Sequence, residues 1–507
     1  MTMTHPAKLL LALLAAAPVA LLADVKPAPL FTDHAVLQRD KPVPVWGTAD
    51  AGEKVTVSFA GQTKSATADV DGRWSVTLDP LPASATPNTL TIAGKNTVTL
   101  SDIVVGEVWL ASGQSNMEWS MRNTFDQAID VPASANPLVR HIKIKKTVAD
   151  APASTVDIDR KTWELAGPST TSSFSAVAYY FARDIQALTG VPVGIVNSSW
   201  GGTPVEAWID AEAYKTVPEA AEKVAARWEK ALERYPAAKA KYDADLAAWN
   251  AEQAAAKAAG QPFNKPRPRA PQGPGHPHSP AGLYNAMIHP LVPYALRGAI
   301  WYQGESNAGR ASEYRDLFSA MITGWRAKFG QGDFPFYWVQ LANYSKPADT
   351  AWAFLREAQT QTLSLPNTGQ AVIIDIGDQK DIHPRNKKDV GRRLARLALK
   401  RDYGFDIIDS GPVFEKAERE GAGFRVHFKT AGKLRAPLND LPGFELAGED
   451  KVFKTAEAKL DGNNTVVVTS AEVPHPVAVR YAWRNAPVAG LINDEGLPAV
   501  PFRTDTW

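Results

Sequence analysis

The sequence predicts an α/β protein: a parallel sheet with helices on both faces, flanked by a β region at each end. Three observations lead there. From about residue 105, short apolar strands alternate with amphipathic helices, the pattern of a parallel sheet with helical crossovers. Residues 24–104 and 405–507 instead alternate apolar and polar residues between turn-forming sequences, as antiparallel strands do. The chain of 507 residues also exceeds one typical domain.

The first 23 residues read as a signal peptide. Lys8 precedes an apolar run from Leu9 to Ala23, broken at Pro18 and too short for a good membrane span. Cleavage after Ala23 would release a protein that is secreted or, in a host with two membranes, periplasmic. An uncleaved anchor is the alternative. In the N-terminal β region (24–104), Val43–Gly47, Lys54–Phe59 and Arg73–Leu78 alternate as sandwich strands, with turns at Asp71-Gly72 and Gly94-Lys95-Asn96. The α/β region is placed at 105–404. Its strands are predicted at Glu107–Ala111, Val193–Val196, Gly298–Tyr302, Phe336–Leu341 and Ala371–Ile376. Val177, Tyr180, Phe181, Ile185 and Leu188 mark one helix face, and Gly190 ends that helix. Further helices are predicted over 311–329 and from near Arg385. An Ala-, Lys- and Glu-rich insert at 211–257 reads as a helical hairpin, followed by a Pro/Gly-rich linker at 261–280. In the C-terminal β domain (405–507), Gly423–Phe428 and Asn464–Thr469 are strands, with a turn at Asp461–Asn464.

Composition removes several function classes. A formal net charge of +1 gives no electrostatic case for nucleic acid or an anionic membrane. Cysteine is absent, which excludes disulfides, thiolate metal sites and a cysteine nucleophile. No feature specifies an oligomeric state.

Four polar segments follow four predicted strands, where open parallel sheets bind ligands. Gly113-Gln114-Ser115-Asn116-Met117 places a serine in a tight turn before a short helix. It is not the G-x-S-x-G elbow, because Met117 stands at the last glycine. In Asn197–Thr203, Gly201 and Gly202 let backbone approach a ligand and donate N–H groups to an oxyanion. In Trp301–Asn307, Gln303 offers a side-chain amide and Glu305 an orienting carboxylate. In Asp378–Pro384, His383 is the candidate base, and Asp381, two residues earlier, its nearest acid partner. The order Ser, Asp, His is one of several that a triad takes. Asn116, Trp200, Glu305 and Asn307 are the expected substrate contacts. Trp119, Trp200, Trp208 and Trp301 could stack on sugar rings, and fifteen tryptophans keep a non-catalytic carbohydrate-binding protein as a rival reading. The other histidines, His141 among them, read as ordinary surface or core residues.

At Gly106–Met117, Trp200–Thr203, Leu283–Met287, Ile300–Asn307 and Asp381–Pro384 the sequence resembles the SGNH hydrolases, and most of all the sialate O-acetylesterase family of carbohydrate esterases. Leu30–Arg39 and Pro42–Gly47 share the likeness, whereas the helical insert and the C-terminal region match loosely. The resemblance implies a flavodoxin-like three-layer core, Ser115 as nucleophile and His383 as base. It implies oxyanion donors at the Ser115 backbone, at Gly201 or Gly202, and at a third-block amide that is Gln303 here. Most of that superfamily carries the triad Asp three residues before His, and Lys380 stands in that slot. Asp381 is then the substitute, Asp378 a weaker one, and a Ser–His dyad stays open. The implied activity is hydrolysis of sugar O-acetyl esters, needing no metal or organic cofactor. The substrate is an O-acetylated carbohydrate, sialate first, with acetylxylan or another polysaccharide as the alternative.

Overall fold

The structure, a computed structural model, describes residues 24–345, 350–438 and 440–507. The predicted signal segment, 1–23, lies outside them. Strands and helices alternate through the middle of the chain: β1 (Thr97–Gly113), α1 (Ser115–Glu118), β2 (Asn136–Lys143), α2 (Ala176–Thr189), β3 (Val193–Ser199), α3 (Pro218–Ala258), β4 (Gly298–Tyr302), α4 (Ala311–Phe329), β5 (Phe336–Val339), α5 (Ala351–Gln361), β6 (Thr368–Ala371) and α6 (Lys388–Arg401). The six strands pair in parallel in the order β2-β3-β1-β4-β5-β6. The chain winds from β3 on one side of β1 to β4 on the other, so the sheet reverses direction at β1, where a crevice opens.

Side-chain alternation sorts the two faces. Trp109 packs edge-on against Phe181 of α2, and α2 and α6 touch each other on that face. Trp301 and Trp338 point to the other face and meet Phe318 of α4. α2 follows its sequence closely. Ser175 caps it by accepting from the Ala178 N–H, and Gly190 ends it at φ +70°. Of the predicted apolar face only Leu188 stays exposed.

The structure departs from the sequence reading in four places. First, β1 runs unbroken through the expected boundary at 104. Its leading half pairs with Ser84–Ala93 and Val36–Gln38, and its trailing half enters the parallel sheet. One apolar cluster accordingly runs from Val45 and Trp74 to Trp109 and Leu394.

Second, the insert is a single helix of 41 residues, α3, and not a hairpin. At 1.5 Å per residue it is about 60 Å long. No glycine interrupts it before Gly260, and Ala, Glu, Lys and Arg all favour helix. Pro236 is carried inside it, and Lys239–Asp243 and Lys241–Asp245 pair along its surface. The linker provides the return path. It forms neither helix nor strand over 261–271 and runs back beside α3, where Trp249 donates to the Lys265 carbonyl at 2.9 Å.

Third, β6 ends at Ala371, before most of the apolar run predicted as a strand. Val372 and Ile374 turn instead into a second apolar cluster, built from the C-terminal region. That region holds two four-stranded antiparallel sheets, and Asp461–Asn464 forms the expected turn between strands. Fourth, β2 has no counterpart in the predicted strand set.

Candidate active site

Ser115 is the first residue of α1, directly past the end of β1. Gly113 makes that turn possible. Its φ is +129°, and a Cβ there would stand 2.2 Å from the Tyr302 carbonyl oxygen on β4. His383 arrives on the long segment between β6 and α6. Its Nε2 lies 2.8 Å from Ser115 Oγ, although the two residues are 268 positions apart. The ring of Trp119 stacks on the imidazole, with centroids 5.1 Å apart and planes at 18°. Burial and the nearby Lys387 cation hold the His383 pKa below its usual value, against a smaller opposing pull from Asp381. A neutral imidazole with Nε2 on a serine hydroxyl is the arrangement that general-base activation requires.

The acid partner is not in a triad position. Asp381 Oδ1 accepts the His383 backbone N–H at 2.9 Å and stands 3.7 Å from Nδ1, with about half of its side chain exposed. Asp378 Oδ1 accepts the backbone N–H groups of Lys380 and Asp381, so it shapes the loop and leaves the imidazole alone. The geometry is that of a Ser–His pair with a carboxylate nearby.

The groups expected to donate to an oxyanion lie in different surroundings. As first residue of α1, Ser115 has an N–H with no acceptor inside the helix. Gly201 sits against it: a Cβ on Gly201 would lie 3.2 Å from Ser115 Cβ. The Gly201 N–H is already engaged, donating to Glu118 Oε2 at 2.8 Å, while the other oxygen of Glu118 pairs with Lys146. Gly202 is exposed at φ +79°, where the chain turns away. The expected role of Gln303 does not hold. It is fully buried, and its amide hydrogens go to the Thr203 carbonyl and to Asn307 Oδ1. Tyr314 in turn donates to its Oε1. Its longer side chain knits the second and third loops together and leaves no hydrogen for an oxyanion.

Three of the four expected substrate contacts are also structural. Asn116 is buried; it donates to Glu305 and to the Ile382 carbonyl and accepts from Lys387. Asn307 is buried and ties Gln303, Val205 and Glu206. The Glu305 carboxylate is enclosed, one oxygen on Asn116 and the other unpartnered. Trp200 is half-exposed, with Lys146 over its ring. Trp208 and Trp301 are core residues rather than sugar platforms.

Ser115 and His383 open into a cavity of about 440 Å³. Trp119 and Arg122 line one side, and Lys143, Asp159, Arg160 and Glu164 line the other. Among the described residues Arg122 has no acidic partner, whereas Lys143 and Arg160 face Asp159 and Glu164. His141 also borders the cavity; burial pushes its pKa down to about 3, and its ring stacks on Phe174. The sequence reading missed His141 and Lys143 as part of this wall because it missed β2. The short alternation Ile142-Lys143-Ile144 was the available signal. Among the described residues no group of three or more His, Asp or Glu side chains is arranged to hold a metal ion.

A family model described as "Carbohydrate esterase, sialic acid-specific acetylesterase" matches residues 105–240 and 276–400. The chain belongs to this family. The match omits the distal part of α3 and the returning linker, and it includes both Ser115 and His383. The chain is 29% identical to the sialate O-acetylesterase of Rattus norvegicus, over 94% of this chain and 93% of that one. It is also 29% identical to the sialate O-acetylesterase of Homo sapiens, over 90% and 88%. A carbohydrate acetylesterase from Xanthomonas citri shares its structure at a TM-score of 0.80, with 38% identity, 95% of this chain covered and 100% of that one. As a carbohydrate esterase of this family, the protein is a carboxylic ester hydrolase.

Proposed function

We propose that the protein removes O-acetyl groups from sugars through an acetyl-enzyme on Ser115, with His383 as general base and no obligatory acid partner. The 2.8 Å contact between Ser115 Oγ and His383 Nε2, at the mouth of the cavity, is the observation that carries this reading. His383 takes the hydroxyl proton as Oγ attacks the acetyl carbonyl. Negative charge develops on the carbonyl oxygen beside the N–H groups of Ser115 and Gly201. Such donors each contribute roughly 3 kcal/mol when preorganised. Gly201 joins once the Glu118 carboxylate swings away toward Lys146. His383 then returns the proton to the leaving sugar oxygen. Water, activated by the same imidazole, hydrolyses the acetyl-enzyme and releases acetate.

The strand order β3-β1-β4-β5-β6, with β2 added at the edge, supports a flavodoxin-like core of the SGNH type. The apolar run at 9–23 supports export through a signal peptide. Among the described residues no helix is long and apolar enough to cross a membrane. For the substrate, sialate comes first: unpaired Arg122 is the cation placed for a sugar carboxylate. Ser115→Ala is expected to abolish acetate release from p-nitrophenyl acetate while the folded state persists; retained turnover would end the nucleophile assignment. Arg122→Ala should lower kcat/KM for O-acetylated sialic acid about tenfold and leave p-nitrophenyl acetate unaffected. Faster turnover of acetylxylan than of the sialate by the parent enzyme would replace the anionic substrate with a neutral one.

A further inference from the structure

Asp381 makes no hydrogen bond to the imidazole, and the segment bearing His383 has left its strand twelve residues earlier. Something else must hold Nε2 on the serine. The hydrogen bonds beneath the pair supply it. Asn116, the residue after Ser115, donates to the carbonyl of Ile382, the residue before His383, at 3.0 Å. One side chain thus ties the nucleophile's neighbour to the base's neighbour. Its amide cannot flip. Nδ2 also donates to the Glu305 carboxylate and Oδ1 accepts from the Lys387 ammonium, so a reversed amide would set like against like at both ends.

Lys387 is fully buried, and no carboxylate lies within ion-pair distance of it among the described residues. Its ammonium sits 5.7 Å from the Trp119 ring centroid and 5.3 Å from that of Tyr302. Trp119 is the ring stacked on His383. Lys387 therefore reaches the base by two routes, through Asn116 and Ile382 and through Trp119. A buried cation costs stability that an apolar side chain of similar size would not.

We propose that Asn116 is a positioning residue that sets the distance between Ser115 and His383, and that Lys387 both seats Asn116 and, where it is protonated, acts as a cation that disfavours the imidazolium. The inference rests on the assignment of Ser115 and His383 above. Burial brings Lys387 down to about 7 and raises the Glu305 carboxyl, and below pH 6.5 Lys387 carries its charge where His383 titrates. Other charged groups face His383 too: Asp381 on its own segment, Glu118 on α1, Glu305 beyond Asn116 and Lys143 across the cavity.

The test compares Lys387→Met, Lys387→Arg and Asn116→Leu. Lys387→Met should lower kcat on p-nitrophenyl acetate about 10- to 100-fold with KM within about twofold. It should also move the acid limb of kcat/KM up by about half a pH unit or more, and Lys387→Arg should restore that limb. Asn116→Leu should lower kcat alike but leave the limb in place, because the cation remains. In a Ser115→Ala background the His383 ring protons, titrated by NMR, should show the same upward move when Lys387→Met is added. A limb and a titration unmoved by Lys387→Met, or kcat within about twofold of the parent in Asn116→Leu, overturns the proposal. Should Lys387→Met fail to fold, the Asn116→Leu rate decides. The NMR titration needs no turnover, so its result stands apart from the nucleophile assignment, which Ser115→Ala tests alone.

Discussion

Replacing Asp381 by Asn separates a catalytic dyad from a triad. In the structure Asp381 Oδ1 lies 3.7 Å from His383 Nδ1, and about half of its side chain is exposed. At that distance, in a nearly aqueous medium, a unit charge stabilises an imidazolium by about 1 kcal/mol. That corresponds to a rate factor of about five. The bond that Asp381 does make, from the His383 backbone N–H, survives the change because the Asn side-chain carbonyl accepts it equally well. Asp381→Asn should therefore lower kcat on p-nitrophenyl acetate by about fivefold. In a Ser-His-Asp triad with the acid on Nδ1, the same change costs about 10⁴-fold. His383→Ala, measured alongside, should cost at least about 10⁴-fold, with circular dichroism showing all variants folded. A loss above about 100-fold in folded Asp381→Asn would refute the reasoning, since it would mean that the carboxylate bonds to Nδ1 during turnover.

Three further outcomes follow from the same geometry. Because burial and Lys387 lower the His383 pKa, the base stays neutral to lower pH than a free histidine, and the acid limb of kcat/KM should fall below pH 6.5; a limb above that value contradicts the assignment of causes. Gly201→Ala would put a methyl group 3.2 Å from Ser115 Cβ and 3.3 Å from Glu118 Oε2, so kcat should drop about tenfold or more with little change in Tm, and an unimpaired enzyme would remove Gly201 from the oxyanion site. Glu107 is fully buried; burial opposes its charge, but bonds from Arg297, Arg39 and Gln38 outweigh that and lower its pKa. Its stabilisation is complete above the unfolded carboxylate pKa and fades as pH falls through the lower folded value. Glu107→Ala should cost about 3–5 kcal/mol in urea unfolding at neutral pH, and a cost below about 1 kcal/mol would show that the cluster is not stabilising.

Local pattern carried much of the fold. The helix expected at 311–329 is α4, with Gly330 at its end, and the polar segments after β1 and β3 hold Ser115 and Gly201 as expected. The sites that were missed depend on choices made in three dimensions. Gln303 and Asn307 are polar residues in a polar loop, and only the packing of Tyr314 and Thr203 decides that their amides turn inward. Val372 and Ile374 continue an apolar run without a break in sequence, yet a second core claims them. The 211–257 run predicts two helices because globular helices average about three to four turns; α3 far exceeds that length, with Ala220 and Val224 as its buried residues. Lys387 was invisible as a site residue, since a buried lysine looks in sequence like any other helix-start cation.

β1 has a consequence for how such enzymes can be rearranged in evolution or in the laboratory. A strand of 17 residues, about 55 Å when extended, begins among the N-terminal hairpins and finishes two residues before Ser115. Recombination at 104/105 would cut a backbone whose two halves are hydrogen-bonded to different neighbours, and would divide the pairing of Val36–Gln38 with Val104–Gly106. The leading region thus travels with Ser115, and the C-terminal region is no freer, since its apolar cluster takes in Val372 and Ile374 and Arg503 pairs with Glu357 on α5.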